Sequence, residues 1–344
     1  MPRVSILIVN WNGRHLLQEC LDSLLRQTFR DFETILVDNG SSDGSRELLS
    51  EHYGWVKRID LQSNTGFATA NNLGLPQASG EFIVTLNNDT RAEPEWLAEL
   101  VRVAETDPAI GMVASRTCVW DQPDTIDTLG GRICRDGMSR GALRGQSFSA
   151  LKLPAIVPIL YPSPSAALYR RKMLEEIGFF DDDIFAYAED TDLGLRARWA
   201  GWGAVAATAA LVHHRYSATG GMFSPFKLYL CERNHYWVAV KNFPLHRLVQ
   251  VPFWTMARYI LQVHVAWQGQ GVGADFHGSA DKYRVLTALL KANRDALLSL
   301  PRMLKKRRLA ARTRKLPAVA MTRLMDDYRL GFYELLDINR KKSS

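Results

Sequence analysis

The first 225 residues predict an α/β fold in which a mostly parallel central sheet is covered by helices on both faces, and three observations predict it. Strand-like runs at 4–11, 32–38, 56–61 and 81–86 alternate with segments of helical period. The first, VSILIVNW, is a continuous β-branched run of the kind that strands buried on both faces show. Two of the runs end in polar residues, Asp38-Asn39 and Asn87-Asn88-Asp89, at the strand ends where open α/β sheets bind ligands. After Ser224 the pattern turns helical to the end, a C-terminal helical appendage.

The elements follow in order. VSILIVNW (4–11) is the first strand, and HLLQECLDSLLRQT (15–28) has apolar residues at helical spacing. FETILVDNGSSDGS (32–45) is a strand running into a Gly/Ser/Asp turn, SRELLSEHYG (45–54) a short helix and VKRIDL (56–61) a strand. FATANNLGLPQAS (67–79) starts a helix, and EFIVTLNND (81–89) is the next strand. Asp89 or Thr90 is expected either to cap the helix whose first turn holds Glu93, Pro94 and Glu95, or to face a crevice and hold a ligand there. Residues 120–150, rich in Gly, Arg and Asp, read as a long loop with short strands. A second αβ section runs from ALYRRKMLEEIG (167–178) to GAVAATAALVHH (203–214).

Charge is divided along the 344 residues. From Phe226 onward stand 22 Lys/Arg against 8 Asp/Glu, net +14, and the first 225 residues carry 21 against 28, net −7. A basic tail on an acidic body calls for an anionic partner. It matches no nucleic-acid motif, few aromatics interleave with its basic cluster, and an anionic membrane surface is expected instead. The four cysteines (Cys20, Cys118, Cys134, Cys231) are scattered, with no C-x-x-C pair, so neither a disulfide framework nor a zinc site is indicated and a reducing compartment fits. No signal peptide is expected at the N-terminus, and the apolar stretch 248–267 is interrupted by Pro, Gln, Arg and His, against a membrane span. Without a G-x-G-x-x-G after the first strand, and without a P-loop, the dinucleotide and NTPase readings lose their ground.

Four constellations carry chemistry. Asp38 and Asn39 leave a buried strand as Asp89 does, which fits either turn chemistry or a shared crevice. In NTGFATANNLG (64–74), Gly66 opens a helix bearing Asn71 and Asn72, and free N–H groups at such a start suit a diphosphate. DDDIFAYAEDTDLGLRARWAGW (181–202) places six carboxylates in twelve residues, with Glu189, Asp190 and Asp192 at a helix start and Asp192 spaced to pair with Arg196. This is either a solvated acidic turn or, set among Phe185, Tyr187, Leu193 and Trp199, an ionised general base. His213 and His214 end a small-residue strand, and an imidazole with Asp89 would complete an O/N site for a divalent metal.

These segments, VSILIVNWNG, ILVDNGSSDGS, NTGFATANNLG, LNNDT, FAYAEDTDLGLR and LVHH, resemble in order the motifs of family 2 glycosyltransferases with the GT-A fold, and especially bacterial rhamnosyltransferase-like members. The resemblance covers roughly residues 3–245, including RNHYWVAVKNFP (233–244). It implies a GT-A catalytic domain over 1–225, with a nucleotide-sugar half to about 115 and an acceptor half over 116–225. Residues 226–344 then form a basic, helical, membrane-associating region. It implies inverting transfer from a nucleotide-diphosphate sugar, dTDP-linked before UDP-linked, to a glycan or lipid-linked acceptor in cell-surface polysaccharide synthesis. The enzyme would lie on the cytoplasmic face of the membrane. Asn10, Asp38 and Asn39 resemble the nucleoside pocket; Asn64, Gly66 and Asn72 resemble the diphosphate-side contacts, with Asn88 a further donor contact. Asp89 resembles the last carboxylate of the D-x-D motif that holds Mg²⁺ or Mn²⁺, His213 the histidine completing that site, and Asp190 the base. Two departures stand out: Asn87 occupies the first D-x-D position, and SPSAAL (163–168) stands where relatives often have a glycine-containing turn. The rival reading is an inactive glycan- or nucleotide-sugar-binding protein on the same fold.

Overall fold

The apolar runs form the strands that their composition dictates. The computed structural model describes residues 1–215, 224–268 and 279–337; the Ser/Gly-rich run after Arg215 and the last residues of the basic tail lie outside the described residues. In chain order the elements are β1 (Val4–Asn10), α1 (Arg14–Leu25), β2 (Phe32–Asp38), α2 (Ser45–His52), β3 (Lys57–Asp60), α3 (Phe67–Gly74), β4 (Phe82–Leu86), β5 (Thr90–Ala92) and α4 (Trp96–Glu105). Then come β6 (Ile110–Val119), β7 (Gln122–Thr128), β8 (Gly131–Ile133), β9 (Ser139–Gly141), α5 (Phe148–Leu151), β10 (Ile156–Pro158), β11 (Ala166–Arg170), α6 (Arg171–Ile177), α7 (Glu189–Trp199) and β12 (Gly203–His214). The remaining described elements are helices: α8 (Pro225–Asn242), α9 (Leu245–Leu248), α10 (Val251–Trp267), α11 (Ser279–Leu298), α12 (Leu300–Ala310), α13 (Ala318–Asp327) and α14 (Phe332–Leu335).

The main sheet has the order β10-β12-β6-β11-β4-β1-β2-β3, with β5 paired to β12 and β7 to β6. Strands β4, β1, β2 and β3 run parallel, as do β6 and β12, while β11 is antiparallel between β4 and β6. Successive residues sort to the two faces with period two. Ile6, Ile8, Leu36 and Val84 join α1 and α4 residues such as Leu17, Leu21 and Trp96 in one core; Leu7, Ile35 and Ile83 join Ala68, Met173 and Leu193 in the other. Burial on both sides is why β1, β2 and β4 read as largely apolar sequence, and each fully buried aliphatic side chain contributes roughly 1.5–3 kcal/mol.

Contacts divide the chain into two units: 1–131 with 141–222 and 313–316, and 132–140 with 223–312 and 317–344. Polar contacts join the helices of the second unit. Tyr236 donates to Asn293 Oδ1 at 2.9 Å, Trp237 Nε1 to Ser299 at 2.7 Å and Tyr259 to Glu232 at 2.8 Å. Arg258, fully buried on α10, donates to Asp136 at 2.6 Å and to both oxygens of Glu232 at 2.7 and 2.8 Å. No described helix is long and apolar enough to cross a membrane.

Candidate functional site

The carboxyl ends of β1, β2 and β4 carry a row of polar side chains joined by hydrogen bonds. Parallel register sets Asn10 opposite Asp38. Asn10 Nδ2 donates to Asp38 Oδ2 at 3.2 Å, and its Oδ1 accepts from Asn88 Nδ2 at 2.7 Å. Asp38 also accepts from the Ser41 amide at 3.0 Å and from Arg46 Nε at 2.7 Å. Burial alone would raise the Asp38 pKa, but these donors outweigh it and lower it, so the carboxylate is held ionised. Gly13 lets the row close: a Cβ there would stand 2.2 Å from Asn88 Nδ2 and 2.6 Å from Asn10 Oδ1.

A second group lies beside the first, since the Asn39 amide donates to the Asn10 carbonyl at 2.7 Å. Asn39 Nδ2 donates to Asn64 Oδ1 at 3.0 Å, and Asn39 Oδ1 accepts from the Thr65 amide at 2.9 Å. Gly66 has φ +88°, and a Cβ would stand 2.4 Å from the Phe185 carbonyl, so only glycine lets the 64–66 turn meet the segment before α7. Asn72 departs from the expected diphosphate role. Its Nδ2 donates to the Phe180 carbonyl and to Asp182 Oδ1, both at 2.8 Å, and its Oδ1 accepts from the Phe180 amide at 3.1 Å. The amide is spent on pinning the 180–182 segment to α3.

Asp89 does not cap a helix. The chain first forms β5 against β12, and α4 begins only at Trp96. The expected pairing of Asp89 with His213 is made instead by His214, whose Nε2 lies 3.3 Å from Asp89 Oδ1. Adjacent strand residues face opposite sides, and His213 Nε2 turns to Glu93 Oε1 at 2.9 Å. His214 Nδ1 meets Asp127 Oδ2 of β7 at 2.7 Å, and all three side chains are buried. Burial depresses the His214 imidazole, yet the two carboxylates outweigh it and push its pKa up to about 10.

This group suits a divalent cation in its chemistry. The buried Asp89 Oδ1 has no aligned hydrogen-bond partner. A carboxylate on Nδ1 leaves Nε2 turned to the ligand side, an arrangement common around metal-binding histidines. Among the described residues no three His, Cys, Asp or Glu side chains form a ready cage, so Asp89 and His214 would supply only part of the coordination. Asp127 carried no signal in sequence: it is one carboxylate in a loop-like stretch, brought to His214 across β6.

Helix α7 opens with Glu189 and Asp190 after two successive left-handed residues, Tyr187 (φ 68°) and Ala188 (φ 71°). Such strain in non-glycine residues concentrates at functional sites. Asp190 Oδ1 accepts from the Thr191 amide at 2.6 Å, and the Thr191 hydroxyl lies 3.1 Å from both Asp190 Oδ1 and the Tyr161 hydroxyl. Asp192 takes the structural part, accepting from Arg196 Nε at 2.9 Å, as the i,i+4 spacing predicts. With Glu189 and Asp192 buried, the cluster is not a solvated acidic turn. Burial raises the pKa values of Glu189 and Asp190, and the Asp190 charge raises that of the deeper Glu189 further.

The comparisons bear on this arrangement. The family model described as Glycosyl transferase family 2 matches residues 5–178, which include both polar strand ends and stop before Asp190 and His214. An uncharacterized glycosyltransferase of Nostoc is 27% identical over 179 residues, 51% of this chain and 53% of its own. The N-acetylglucosaminyl-diphospho-decaprenol L-rhamnosyltransferase of Mycobacterium tuberculosis is 28% identical over 243 residues, 63% of this chain and 78% of its own. The chain spans about half to three fifths of the length of several curated relatives it matches. Among solved structures, the Pyrobaculum calidifontis mannosyltransferase in complex with GDP-Man and Mn²⁺ aligns over 95% of this chain and 80% of its own, with TM-score 0.51 and 19% identity. The architecture is the GT-A fold. Since the family model takes in half of the sequence, the chain belongs to glycosyl transferase family 2.

Proposed function

We propose that the chain is an inverting glycosyltransferase moving a sugar, rhamnose first among candidates, from a nucleotide-diphosphate donor to a hydroxyl of a glycan or lipid-linked acceptor in cell-surface polysaccharide synthesis. The observation that carries the reading is the buried Asp89–His214–Asp127 group beside the polar row of Asn10, Asp38 and Asn88. Residues 1–225, apart from the 132–140 segment that belongs with the helical unit, form the catalytic domain, with the donor half to about 115 and the acceptor half after it. The rhamnosyltransferase relative supports rhamnose and a lipid diphosphate acceptor by its name, and the mannosyltransferase neighbour supports a nucleotide sugar with a divalent metal. dTDP is the first nucleotide to try and UDP the second.

Asn10, Asp38 and Asn39 shape the nucleoside end of the pocket, and the 64–66 turn borders the diphosphate. Asp89 would hold a divalent cation together with His214 once that imidazole has given up its Nε2 proton, Asp127 would fix the ring, and the cation would supply positive charge against the diphosphate. Asp190 accepts the proton of the acceptor hydroxyl as that oxygen attacks the anomeric carbon opposite the leaving group. Its raised pKa brings a carboxylate nearer the working pH, which suits a general base. Residues 226–344 associate with the anionic cytoplasmic face of a membrane.

The test is a screen of dTDP-, UDP- and GDP-sugars by thermal shift with and without Mn²⁺, followed by donor turnover. Metal-dependent stabilisation with turnover is expected. Stabilisation without transfer or hydrolysis would favour the inactive binding protein, which Asn87 at the first D-x-D position supports.

A further inference from the structure

Helix α10 is built inside out. Val251, Thr255, Arg258 and Val265 are its buried positions, with the fully buried Arg258 guanidinium at the centre. Its outward positions are Phe253, Met256, Ile260, Val263 and Trp267, 58–86% exposed and spaced by three or four residues along one stripe. The helix contains no Asp, Glu or Lys, so nothing charged interrupts that stripe. In water a helix turns its apolar face inward. Here four hydrogen bonds oppose that rotation: Arg258 to Asp136 and to both oxygens of Glu232, and Tyr259 to Glu232. Rolling α10 over to bury the stripe would break them all and leave charges unpaired in a dry interior.

We propose that the outer stripe of α10 inserts into the interface of an anionic bilayer, and that the Arg258–Asp136–Glu232 cluster locks the helix in that phase. This rests on the membrane reading above and assigns it to particular residues. Charge complementarity selects the occupant. The tail region carries net +14, and Lys305, Arg308 and Arg312 of the same unit are exposed. A second copy would bring two such basic surfaces together, whereas anionic headgroups neutralise them. An uncharged apolar stripe supplies what basic residues do not: binding that persists when salt screens the charges.

The experiment uses the full chain with vesicles of phosphatidylcholine, with and without phosphatidylglycerol, floated at low and high salt. Wild type should float with the anionic vesicles and resist salt, and brominated lipids should quench its fluorescence through Trp267. The variant F253Q/I260Q/W267Q alters exposed positions only. It should lose partitioning by roughly tenfold per side chain, about 10³ together, and its remaining binding should vanish at high salt. Donor-induced thermal shift equal to wild type verifies that the variant is folded. Wild-type salt resistance in the variant would overturn the α10 assignment while leaving the membrane reading intact. Failure of wild type to float with any vesicle would overturn both. A wild-type dimer that the triple variant converts to monomer in sedimentation would make the stripe a self-association face and overturn the lipid occupant.

Discussion

Arg258→Met is the sharpest probe of the second unit. The substitution keeps an unbranched apolar stem and removes a guanidinium that makes three short bonds to two carboxylates, all three groups being at most 1% exposed. Breaking a buried ion pair from one side costs about 3–5 kcal/mol, because the remaining charges stay buried without compensation. If α8 and α10 open together, their amides should exchange roughly 10²- to 10⁴-fold faster, while β1 and α1 of the first unit serve as the internal reference. The sign of the pH dependence follows from Glu232. Burial alone would raise its pKa, but Arg258 and His235 outweigh that and hold it far below the carboxylate range. In wild type this contributes stability above the unfolded carboxylate value of about 4.3 that is lost as pH falls. Without Arg258 the buried carboxyl takes up a proton readily, so the gap between variant and wild type should narrow from pH 7 to pH 5. R258M/D136N/E232Q, neutral throughout, should recover most of the loss. The reasoning fails if α10 in R258M is as protected as in wild type, or if the gap is independent of pH.

Asp190→Asn should lower transfer by about 10²–10⁴ with donor affinity within about twofold, and wild-type turnover would pass the role to Glu189. Because burial raises the Asp190 pKa and the ionised form is the base, kcat should rise with pH along a limb above the range of a free carboxylate. His214→Ala and Asp89→Ala should each weaken Mn²⁺-dependent donor binding, with the double variant little worse, whereas His213→Ala should leave it near wild type; calorimetry decides. Asp127→Asn should cost about 10- to 100-fold in metal affinity by the same measurement. Gly13→Ala should lower stability by about 1–3 kcal/mol in thermal unfolding without donor, since its Cβ breaks the buried Asn10–Asn88 bond.

The central strands are legible because burial on both faces leaves mostly apolar residues in them, and the polar ends stand out against those runs. What escaped reading depended on distance in the chain. Period two says that His213 and His214 face opposite sides, but which one meets Asp89 depends on the β5–β12 register, set by packing. Asp127 reaches His214 from 87 residues away. Asn72, read as a donor contact from its place after Gly66, is taken by the backbone at Phe180, 108 residues on. That burial raises the Asp190 pKa is not legible in sequence, because helix-start carboxylates are usually wet and the depth at which α7 begins is a tertiary fact. In α10, hydrophobic residues in 248–267 were visible, but their outward phase follows from Arg258 and its two distant carboxylates.

The path of the chain between its units limits how the family's modules can be exchanged. Residues 132–140 and Asp136 belong with the helices that begin near residue 223, although the sequence on either side belongs with the sheet. A hybrid made by one crossover near residue 225 would join a foreign helical region to a native Asp136, with no assurance of an arginine to meet it. Working chimaeras would have to transplant the nine-residue insert and the tail together, so the two segments should be inherited as one unit of recombination.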